Sequence, residues 1–375
     1  MVYDVAVVGL GGMGSAVLAH CSALGASAIG LEQFTPAHDL GSSHGKTRMI
    51  RKAYFEDPAY VPLVLRAYEL WPELERAVGQ EILRITGLLS VGPENSEIIH
   101  GTLRAAHEHD LKVESLRRED VKARYPTIDL WPNEVALFEV DGGVLDPERA
   151  IRAHLKVAES HGAKIRFGVT MESWHPEDKG FDLRLSDGSK VLATRLVLTL
   201  GAWFQEMLES LRVPIRVQRN VQVWFRPSTH AYDAPGFPGF LLNREGLPAP
   251  LYGFPDFGDG VKAAFHGQGD LTNVEQINRE IDHARDVEPV ARALERWMPR
   301  AAHSVLAAAP CMYTLTPDQH FVIDQHPSHP HLVLCGGFSG HGFKFAPVVG
   351  EIGAQLALEG GTSYEVEFLS LRRFQ

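Results

Sequence analysis

The chain has 375 residues, which at roughly 150 residues per domain predicts two domains and at least one sizeable core. Apolar residues make up 45% of the chain and charged residues 22%, values that exclude disorder over its whole length. The formal net charge is -11, from 36 basic and 47 acidic residues, and no basic run exceeds two residues. Because nucleic acids and anionic membranes bind clustered Lys and Arg, we expect neither as a partner.

Cysteine usage points to a reducing environment. Cys21, Cys311 and Cys335 are too few for a disulfide framework, and no two of them form a CxxC pair.

The N-terminal stretch MVYDVAVVGL has Asp4 inside its apolar run and no basic residues before it, so we expect neither a signal peptide nor a membrane span there. The sequence therefore predicts a cytoplasmic protein.

The N-terminal segment has the pattern of a strand, a helix and a second strand. Residues 3–8 form an apolar run with β-branched side chains, residues 15–24 have helical apolar spacing up to Gly25, and residues 27–34 form a second apolar run. A glycine-rich turn separates the first strand from the helix. This order predicts a βαβ unit, the building block of parallel sheets.

Two further helices are predicted from their start signals. Asp57-Pro58 precedes an apolar face, which Pro62 and Pro72 are expected to shorten or kink, made of Val61, Val64, Leu65, Tyr68 and Trp71. Asp146-Pro147 is an N-cap and first-turn pair that precedes a second apolar face ending at Gly162, made of Ile151, His154, Leu155 and Ala158.

The remaining segments complete two sheets. Residues 180–200 contain the hairpin signal Asp187-Gly188 and a buried strand, and residues 331–360 read as a strand, a glycine-rich loop and a helix. Residues 216–305 hold short alternating runs typical of an antiparallel sheet. The prediction is an α/β (α+β two-domain) protein. Its parallel-sheet domain comprises residues 1–85, 145–215 and 306–375, and its antiparallel-sheet substrate domain residues 86–144 and 216–305.

A dinucleotide-binding motif follows the first strand. Gly9, Gly11 and Gly14 fit GxGxxG at the start of a helix, where backbone N–H groups face a pyrophosphate. Glu32 ends the second strand, 18 residues after Gly14, where a carboxylate accepts hydrogen bonds from ribose hydroxyls and repels a 2′-phosphate. This motif leaves NAD and FAD open. The later strand at 196–200 and the C-terminal glycine-rich segment resemble the FAD-binding Rossmann domain of the glutathione reductase superfamily, so FAD is the expected cofactor.

Three further stretches carry a specific resemblance. They are GSSHGKTRMIR (residues 41–51), CMYTLTPD with FVID (residues 311–324) and GFSGHGFKF (residues 337–345), and they occur together with YGFP at 252–255 and KAAFH at 262–266. In this order they resemble the family of monomeric sarcosine oxidases and N-methyltryptophan oxidases. The resemblance runs through essentially the whole chain.

The resemblance implies where the flavin lies. Cys311 matches the cysteine that the family links covalently to FAD, whereas Cys21 and Cys335 are expected to be ordinary buried thiols. Arg48 matches a residue beside the flavin ring, and the neighbouring cofactor-binding positions are Ser42, Ser43 and His44. In the loop at 336–345, the cofactor-binding residues are Gly340, Gly342, Phe343 and Lys344, at the start of a helix whose N–H groups favour negative charge.

The resemblance also implies catalytic roles. Arg51 and Lys344 match the pair that binds the substrate carboxylate, for which Arg offers bidentate geometry. Arg48 and Arg51 are three residues apart. Either both side chains lie on one side of a helical turn, or one reaches the flavin while the other reaches the substrate. Lys262 matches the lysine over the flavin, where a cation stabilises charge developing on O2. His266 and Tyr252 match residues that shape the substrate cavity.

The expected function is oxidation of N-methyl or secondary α-amino acids by FAD and O2, in a monomer with small-molecule partners. A related flavin oxidase of N-methyltryptophan, pipecolate, proline or glycated amino acids is the alternative, because residues 244–250 and 258–260 depart from the family pattern. Two alternatives come from other functional classes. If the protein were an NAD-dependent dehydrogenase, it would bind NAD reversibly and show no flavin colour. If it were a non-catalytic flavoprotein, it would contain flavin that no amine reduces. No metal site is expected, since His107-Glu108-His109 lacks HExxH spacing.

Overall fold

The computed structural model describes residues 1–374 of the chain. Its strands are β1 (Val2–Val8), β2 (Ala28–Glu32), β3 (Arg48–Ile50), β4 (Leu83–Ile85), β5 (Leu88–Pro93), β6 (Glu114–Leu116), β7 (Glu134–Glu139), β8 (Gly143–Leu145), β9 (Lys164–Phe167), β10 (Met171–Glu177), β11 (Gly180–Leu185), β12 (Lys190–Leu198), β13 (Arg216–Arg226), β14 (Gly239–Leu242), β15 (Leu251–Phe254), β16 (Val261–Phe265), β17 (Asp270–Thr272), β18 (Ser304–Leu315), β19 (Val322–His326) and β20 (His329–Gly336). Its helices are α1 (Gly12–Ala23), α2 (Val61–Val78), α3 (Glu97–Glu108), α4 (Arg118–Arg124), α5 (Pro147–Ser160), α6 (Gln205–Ser210), α7 (Glu288–Trp297) and α8 (Ala346–Leu358).

The first sheet is parallel at its centre, in the order β9, β2, β1, β12 and β20. Antiparallel β19 extends it beyond β20, and β11 and β10 extend it beside the first half of β12. Helices α1, α5 and α8 pack together on one face, with α2 beside them. Both faces of the central strands are buried, as expected for a parallel sheet with covered faces. The predicted βαβ unit is confirmed.

The predicted helices form with small differences. A 3-10 turn, Pro58–Tyr60, precedes α2, and Pro72 lies inside α2 without ending it. Burial of the face that contains Val64 and Trp71 holds this helix together despite the missing hydrogen bond at Pro72. Helix α5 begins as predicted, with the Asp146 carboxylate accepting a hydrogen bond from the Arg149 N–H at 2.9 Å.

The second sheet has the order β17, β13, β16, β15, β14, β5, β7 and β6, and β18 also pairs with β13. Its pairs are antiparallel except for β14 with β5. Helix α7 packs Leu294 and Trp297 into the core below it. The antiparallel sheet predicted for residues 216–305 is therefore present. The boundary expected at residue 306 falls inside β18, which spans both sides of it and lies in this second sheet.

A third, small sheet has the order β3, β8 and β4. Strand β3 contains Arg48 and ends one residue before Arg51. Because this segment is extended, the two arginines do not share one side of a helical turn, which excludes the first of the two alternatives. Within residues 1–374, no helix is long and apolar enough to cross a membrane.

Candidate active site

The turn between β1 and α1 is built for close approach of an anion. Gly9 has φ +86°, and a Cβ at Gly14 would overlap the Gly9 carbonyl oxygen and the Thr199 hydroxyl. Gly11, at the N-cap of α1, has no side chain to cap the helix, and the Ser43 hydroxyl accepts a hydrogen bond from the Gly12 N–H at 3.3 Å. The start of α1, where the helix dipole is positive, therefore borders the space in front of the turn together with the Ser43 hydroxyl.

Glu32 lies at the end of β2, beside this turn. Its Oε2 accepts a hydrogen bond from the Leu10 N–H at 2.7 Å, and its Oε1 accepts one from the Phe34 N–H at 3.0 Å. The His38 ring packs on Phe34 and lies 3.7 Å from the carboxylate. The carboxylate is thus held rigidly by backbone groups and still has free acceptor positions.

A cavity of about 400 Å³ extends from this turn through the interior. It brings together most of the residues singled out from the sequence: Gly9, Gly11, Glu32, Ser42, Ser43, Arg48, Arg51, Tyr252, His266, Cys311, Gly340, Gly342, Phe343 and Lys344. Gly14, His44 and Lys262 are absent from this lining over the described residues. Gly14 contacts the turn instead, and His44 and Lys262 are buried behind the wall.

Arg48 lies beside Cys311. Its Nη2 donates to the Ser42 carbonyl oxygen at 2.7 Å and is 3.8 Å from the Cys311 sulfur, while its Nη1 donates to the Thr47 carbonyl oxygen at 2.8 Å. Cys311, on β18, is a free thiol that lines the cavity. Cys335 also lines the cavity, and burial raises the pKa of both Cys21 and Cys335 to about 12.

The glycine-rich loop after β20 packs against β18. The Ser339 N–H donates to the Thr314 carbonyl oxygen at 2.9 Å, and the Thr316 N–H donates to the Ser339 hydroxyl at 3.2 Å. A 3-10 turn, Phe343–Phe345, then leads into α8. Through these contacts the loop is fixed close to Cys311, although the two segments are distant in sequence.

Arg51 and Lys344 meet at the far end of the cavity, together with a carboxylate. Arg51 Nη2 contacts Glu56 Oε1 at 2.7 Å, and the Lys344 ammonium donates to the His341 carbonyl oxygen at 2.7 Å. Burial and the nearby Arg51 lower the pKa of Lys344 to about 7. Burial would raise the pKa of Glu56, but Arg51, His341 and Lys344 lower it to about 2. Glu56 is therefore ionised.

The opposite wall of this end contains Tyr252 on β15 and His266 just after β16. His266 Nδ1 lies 3.2 Å from the Tyr313 hydroxyl oxygen. Burial lowers the pKa of His266 and raises the pKa of Tyr252, so both side chains are neutral near pH 7.

Lys262 is 1% exposed, and its ammonium donates to the carbonyl oxygens of Gly45 at 2.7 Å and Thr47 at 3.0 Å. It also lies 5.3 Å from the ring centres of Trp224 and Phe254. Burial and the Arg48 charge lower the pKa of Lys262 well below its usual value. The charge of this lysine is therefore pH dependent.

His44 is neutral for similar reasons. Burial, with Arg48 and Lys262, lowers its pKa to about 3, and its Nε2 has no hydrogen-bond partner among the described residues. Gln222 Nε2, in the cavity wall, is equally buried and unpartnered within the described part of the chain.

Sequence reasoning did not identify Glu56, Gln222 or Tyr313 as lining residues. Glu56 follows Arg51 by five residues and precedes Asp57-Pro58, where an acidic residue reads as an ordinary helix-start signal. Its neighbour Phe55 also lines the cavity, with the Arg51 guanidinium 4.3 Å from its ring centre. Among the side chains of residues 1–205 and 207–374, no group of three that could hold a metal ion comes together.

Comparison with known proteins identifies the family of this chain. A family model described as FAD dependent oxidoreductase (DAO) matches residues 4–356. The chain is 42% identical to the monomeric sarcosine oxidase of Streptomyces avermitilis, over 99% of this chain and 97% of that protein. It is 32% identical to the N-methyl-L-tryptophan oxidase of Yersinia pestis over the full length of both proteins.

Two solved structures show the same fold. NikD, an amino acid oxidase essential for nikkomycin biosynthesis, has a TM-score of 0.87 at 24% identity, covering 98% of this chain and 97% of that chain. The L-proline dehydrogenase from P. horikoshii has a TM-score of 0.86 at 20% identity, covering 100% and 98%. The chain therefore belongs to the FAD dependent oxidoreductase family, in the group that contains the monomeric sarcosine oxidases and the N-methyl-L-tryptophan oxidases.

Proposed function

We propose that this protein is an FAD-dependent oxidase of N-methyl and other secondary α-amino acids, with sarcosine as the substrate type. The reaction converts sarcosine, O2 and water into glycine, formaldehyde and hydrogen peroxide. The proposal rests on one observation: a single cavity is lined both by the glycine-rich turn proposed to bind the dinucleotide and by the cationic side chains of Arg51 and Lys344. The 42% identity to a monomeric sarcosine oxidase supports the same substrate class.

The residues present fit FAD. The turn before α1 and the Glu32 carboxylate suit the pyrophosphate and an unmodified ribose. Arg48 and the unpartnered donor Gln222 Nε2 suit the acceptor-rich flavin ring, as does the N-terminal end of α8. Cys311, a free thiol in the cavity wall, is the residue proposed to attach the flavin covalently. When bound, FAD supplies the two-electron acceptor for the substrate and transfers the electrons to O2.

The protein's own side chains bind and orient the substrate. Arg51 and Lys344 are proposed to hold its carboxylate, and the neutral His266 and Tyr252 to line the space around its amine. Because the amine must be uncharged when it is oxidised, we expect the rate of flavin reduction to rise with pH toward a plateau. Lys262 is proposed to supply positive charge during the reduction of O2.

A larger N-methyl amino acid is the second candidate substrate, favoured by the 32% identity to N-methyl-L-tryptophan oxidase.

Absorption spectra of the purified protein test the flavin attachment and the substrate. One spectrum is recorded before and one after acid precipitation. Sarcosine, pipecolate and N-methyltryptophan are then added anaerobically to separate native samples. Flavin colour in the pellet and bleaching by sarcosine are expected. Bleaching only by N-methyltryptophan would replace the substrate, and failure of every amine to bleach bound flavin would overturn the oxidase function.

A monomer is the proposed assembly, because several relatives are named monomeric sarcosine oxidase. Light scattering of the purified protein tests it against the chain mass of 41.4 kDa. A stable dimer at micromolar concentration would contradict this proposal.

A further inference from the structure

One peptide unit lies between a carboxylate and the Lys262 ammonium. The Gly45 carbonyl oxygen accepts a hydrogen bond from Lys262 Nζ at 2.7 Å. On the other side, the Glu148 carboxylate accepts hydrogen bonds from the Gly45 N–H at 2.7 Å and from the Lys46 N–H at 3.1 Å. The Gly45 carbonyl and the Lys46 N–H belong to the same peptide unit, so Glu148 and Lys262 bind its two ends.

The two charges strengthen each other through this peptide. A carboxylate on the N–H side and an ammonium on the C=O side both polarise the unit in the same direction, as in a cooperative hydrogen-bond chain. Gly45 has φ +97°, and a Cβ there would collide with the Gln222 side chain, so the backbone at this turn is closely constrained.

Both outer partners are firmly anchored. Glu148 lies in the first turn of α5, where the helix dipole favours a carboxylate, and Asp146 caps that helix. Lys262 extends from β16, whose residues are all buried. The segment between them ends in Arg48, which contacts the Cys311 sulfur.

We propose that Glu148 is a positioning residue for Lys262, acting through the Gly45–Lys46 peptide to hold the lysine ammonium in place. The proposal rests on the function proposed above, in which Lys262 assists the reduction of O2. Glu148 itself is not a residue of the cavity wall among those described.

The charges around Lys262 set the sign of the expected pH effect. Burial and Arg48 lower the pKa of Lys262, whereas Cys311 and Glu148 oppose that shift. His44, whose pKa is lowered to about 3, is neutral throughout. Removal of the Glu148 charge is therefore expected to lower the pKa of Lys262 further. As pH rises, the rate of reaction with O2 then begins to fall at a lower pH than in the wild type.

Glu148→Gln in the holoenzyme tests the proposal, with Glu139→Gln as the matched control. Glu139 accepts hydrogen bonds from the Lys52 and Ala53 N–H groups at the other end of the same segment, beside Arg51. Glu148→Gln is expected to slow reoxidation about fivefold over the pH range in which the wild-type rate begins to fall, and to shift that fall to lower pH, with flavin reduction changed less than about twofold. Glu139→Gln is expected to weaken substrate binding and to leave the pH profile of reoxidation unchanged.

Hydrogen exchange measured by mass spectrometry gives a readout independent of activity. In Glu148→Gln, exchange at residues 45–46 should accelerate, while exchange at residues 52–53 stays protected. Faster exchange without a shift of the reoxidation profile would overturn the proposal and leave Glu148 a purely structural residue.

A double mutant separates this proposal from the proposed function. In a Lys262→Met background, Glu148→Gln should add less than about a twofold effect on reoxidation. A full additional loss would overturn the coupling of Glu148 to Lys262. If Lys262→Met alone leaves reoxidation unchanged, both the proposed role of Lys262 and this inference are wrong.

A second variant is used if Glu148→Gln does not yield folded holoenzyme. Glu148→Asp retains the charge and is expected to keep the wild-type pH profile of reoxidation. A shifted profile would overturn the proposal.

Discussion

Arg51 and Glu56 form an ion pair inside the cavity, with Arg51 Nη2 2.7 Å from Glu56 Oε1. Their side chains are only 5% and 17% exposed. Tyr54 and Phe55 place aromatic rings against the guanidinium, with centres 4.4 and 4.3 Å away. The arginine proposed to bind the substrate carboxylate thus already has a carboxylate partner, which a bound substrate must replace or share.

Glu56→Gln is expected to tighten the binding of a carboxylate ligand. Glu56 is ionised because Arg51, His341 and Lys344 lower its pKa to about 2 against the effect of burial. Without that charge, a ligand carboxylate has no internal competitor, and its Kd should fall about tenfold, equivalent to about 1.4 kcal/mol. Titration with (methylthio)acetate, followed by flavin absorbance, measures this.

Asp57→Asn is the control for that variant. It removes a neighbouring negative charge that accepts a hydrogen bond from the Ala59 N–H at 2.8 Å and lies outside the described cavity lining. Its Kd should match the wild type. An unchanged Kd in Glu56→Gln would show that Glu56 does not compete with the ligand.

The affinity for the same ligand should fall as pH rises through the neutral range. Burial and Arg51 lower the pKa of Lys344 to about 7, so above that pH the lysine loses its proton and its attraction for a carboxylate. His341, with a pKa of about 3, stays neutral over this range, and burial also lowers the pKa of His266. The Kd should rise about tenfold between about pH 6 and about pH 9.

(Methylthio)acetate suits this measurement because it has a carboxylate and no ionisable amine. Lys344→Gln should bind the ligand weakly with a nearly flat pH profile. A wild-type affinity that does not change with pH would contradict the assignment of Lys344 to carboxylate binding.

Cys311→Ser should yield flavin that acid precipitation releases into the supernatant. Cys311 lies in the cavity wall with its Sγ 3.8 Å from Arg48 Nη2, and serine cannot form the thioether. Cys21→Ser is the control, because Cys21 is fully buried in α1. Retention of the flavin in the pellet of Cys311→Ser, or its release from Cys21→Ser alone, would reject Cys311 as the attachment site.

Lys262→Met should slow reoxidation of the reduced flavin by about 100-fold, the scale of losing one preorganised charge in a dry site. Anaerobic reduction by substrate should change much less. Stopped-flow absorbance separates the two half-reactions. Lys46→Met, which removes an exposed lysine paired with Asp259 at 2.6 Å, should leave both near wild type. Equal losses in both half-reactions of Lys262→Met would refute the role assigned to it.

Local patterns in the chain were enough to predict a large part of the fold. The β1, α1 and β2 elements, the capped start of α5 and the turn at Gly9 each depend on residues that are close in sequence. The family resemblance then placed Arg51, Lys344, Tyr252, His266 and Cys311 in one site, and the cavity brings all of them together.

Glycine spacing and the neighbouring residue types therefore predict the turn between β1 and α1, whereas the family resemblance predicts most, but not all, of the side chains around the cavity. Three features are visible only in the folded protein: Arg51 pairs with Glu56, Lys262 lies behind the cavity wall on the Gly45 carbonyl, and β18 belongs to the second sheet. The reason is physical: these contacts and the burial that shifts the pKa values of Lys262 and Lys344 arise where segments distant in the chain, such as β3, β16 and α8, exclude water together.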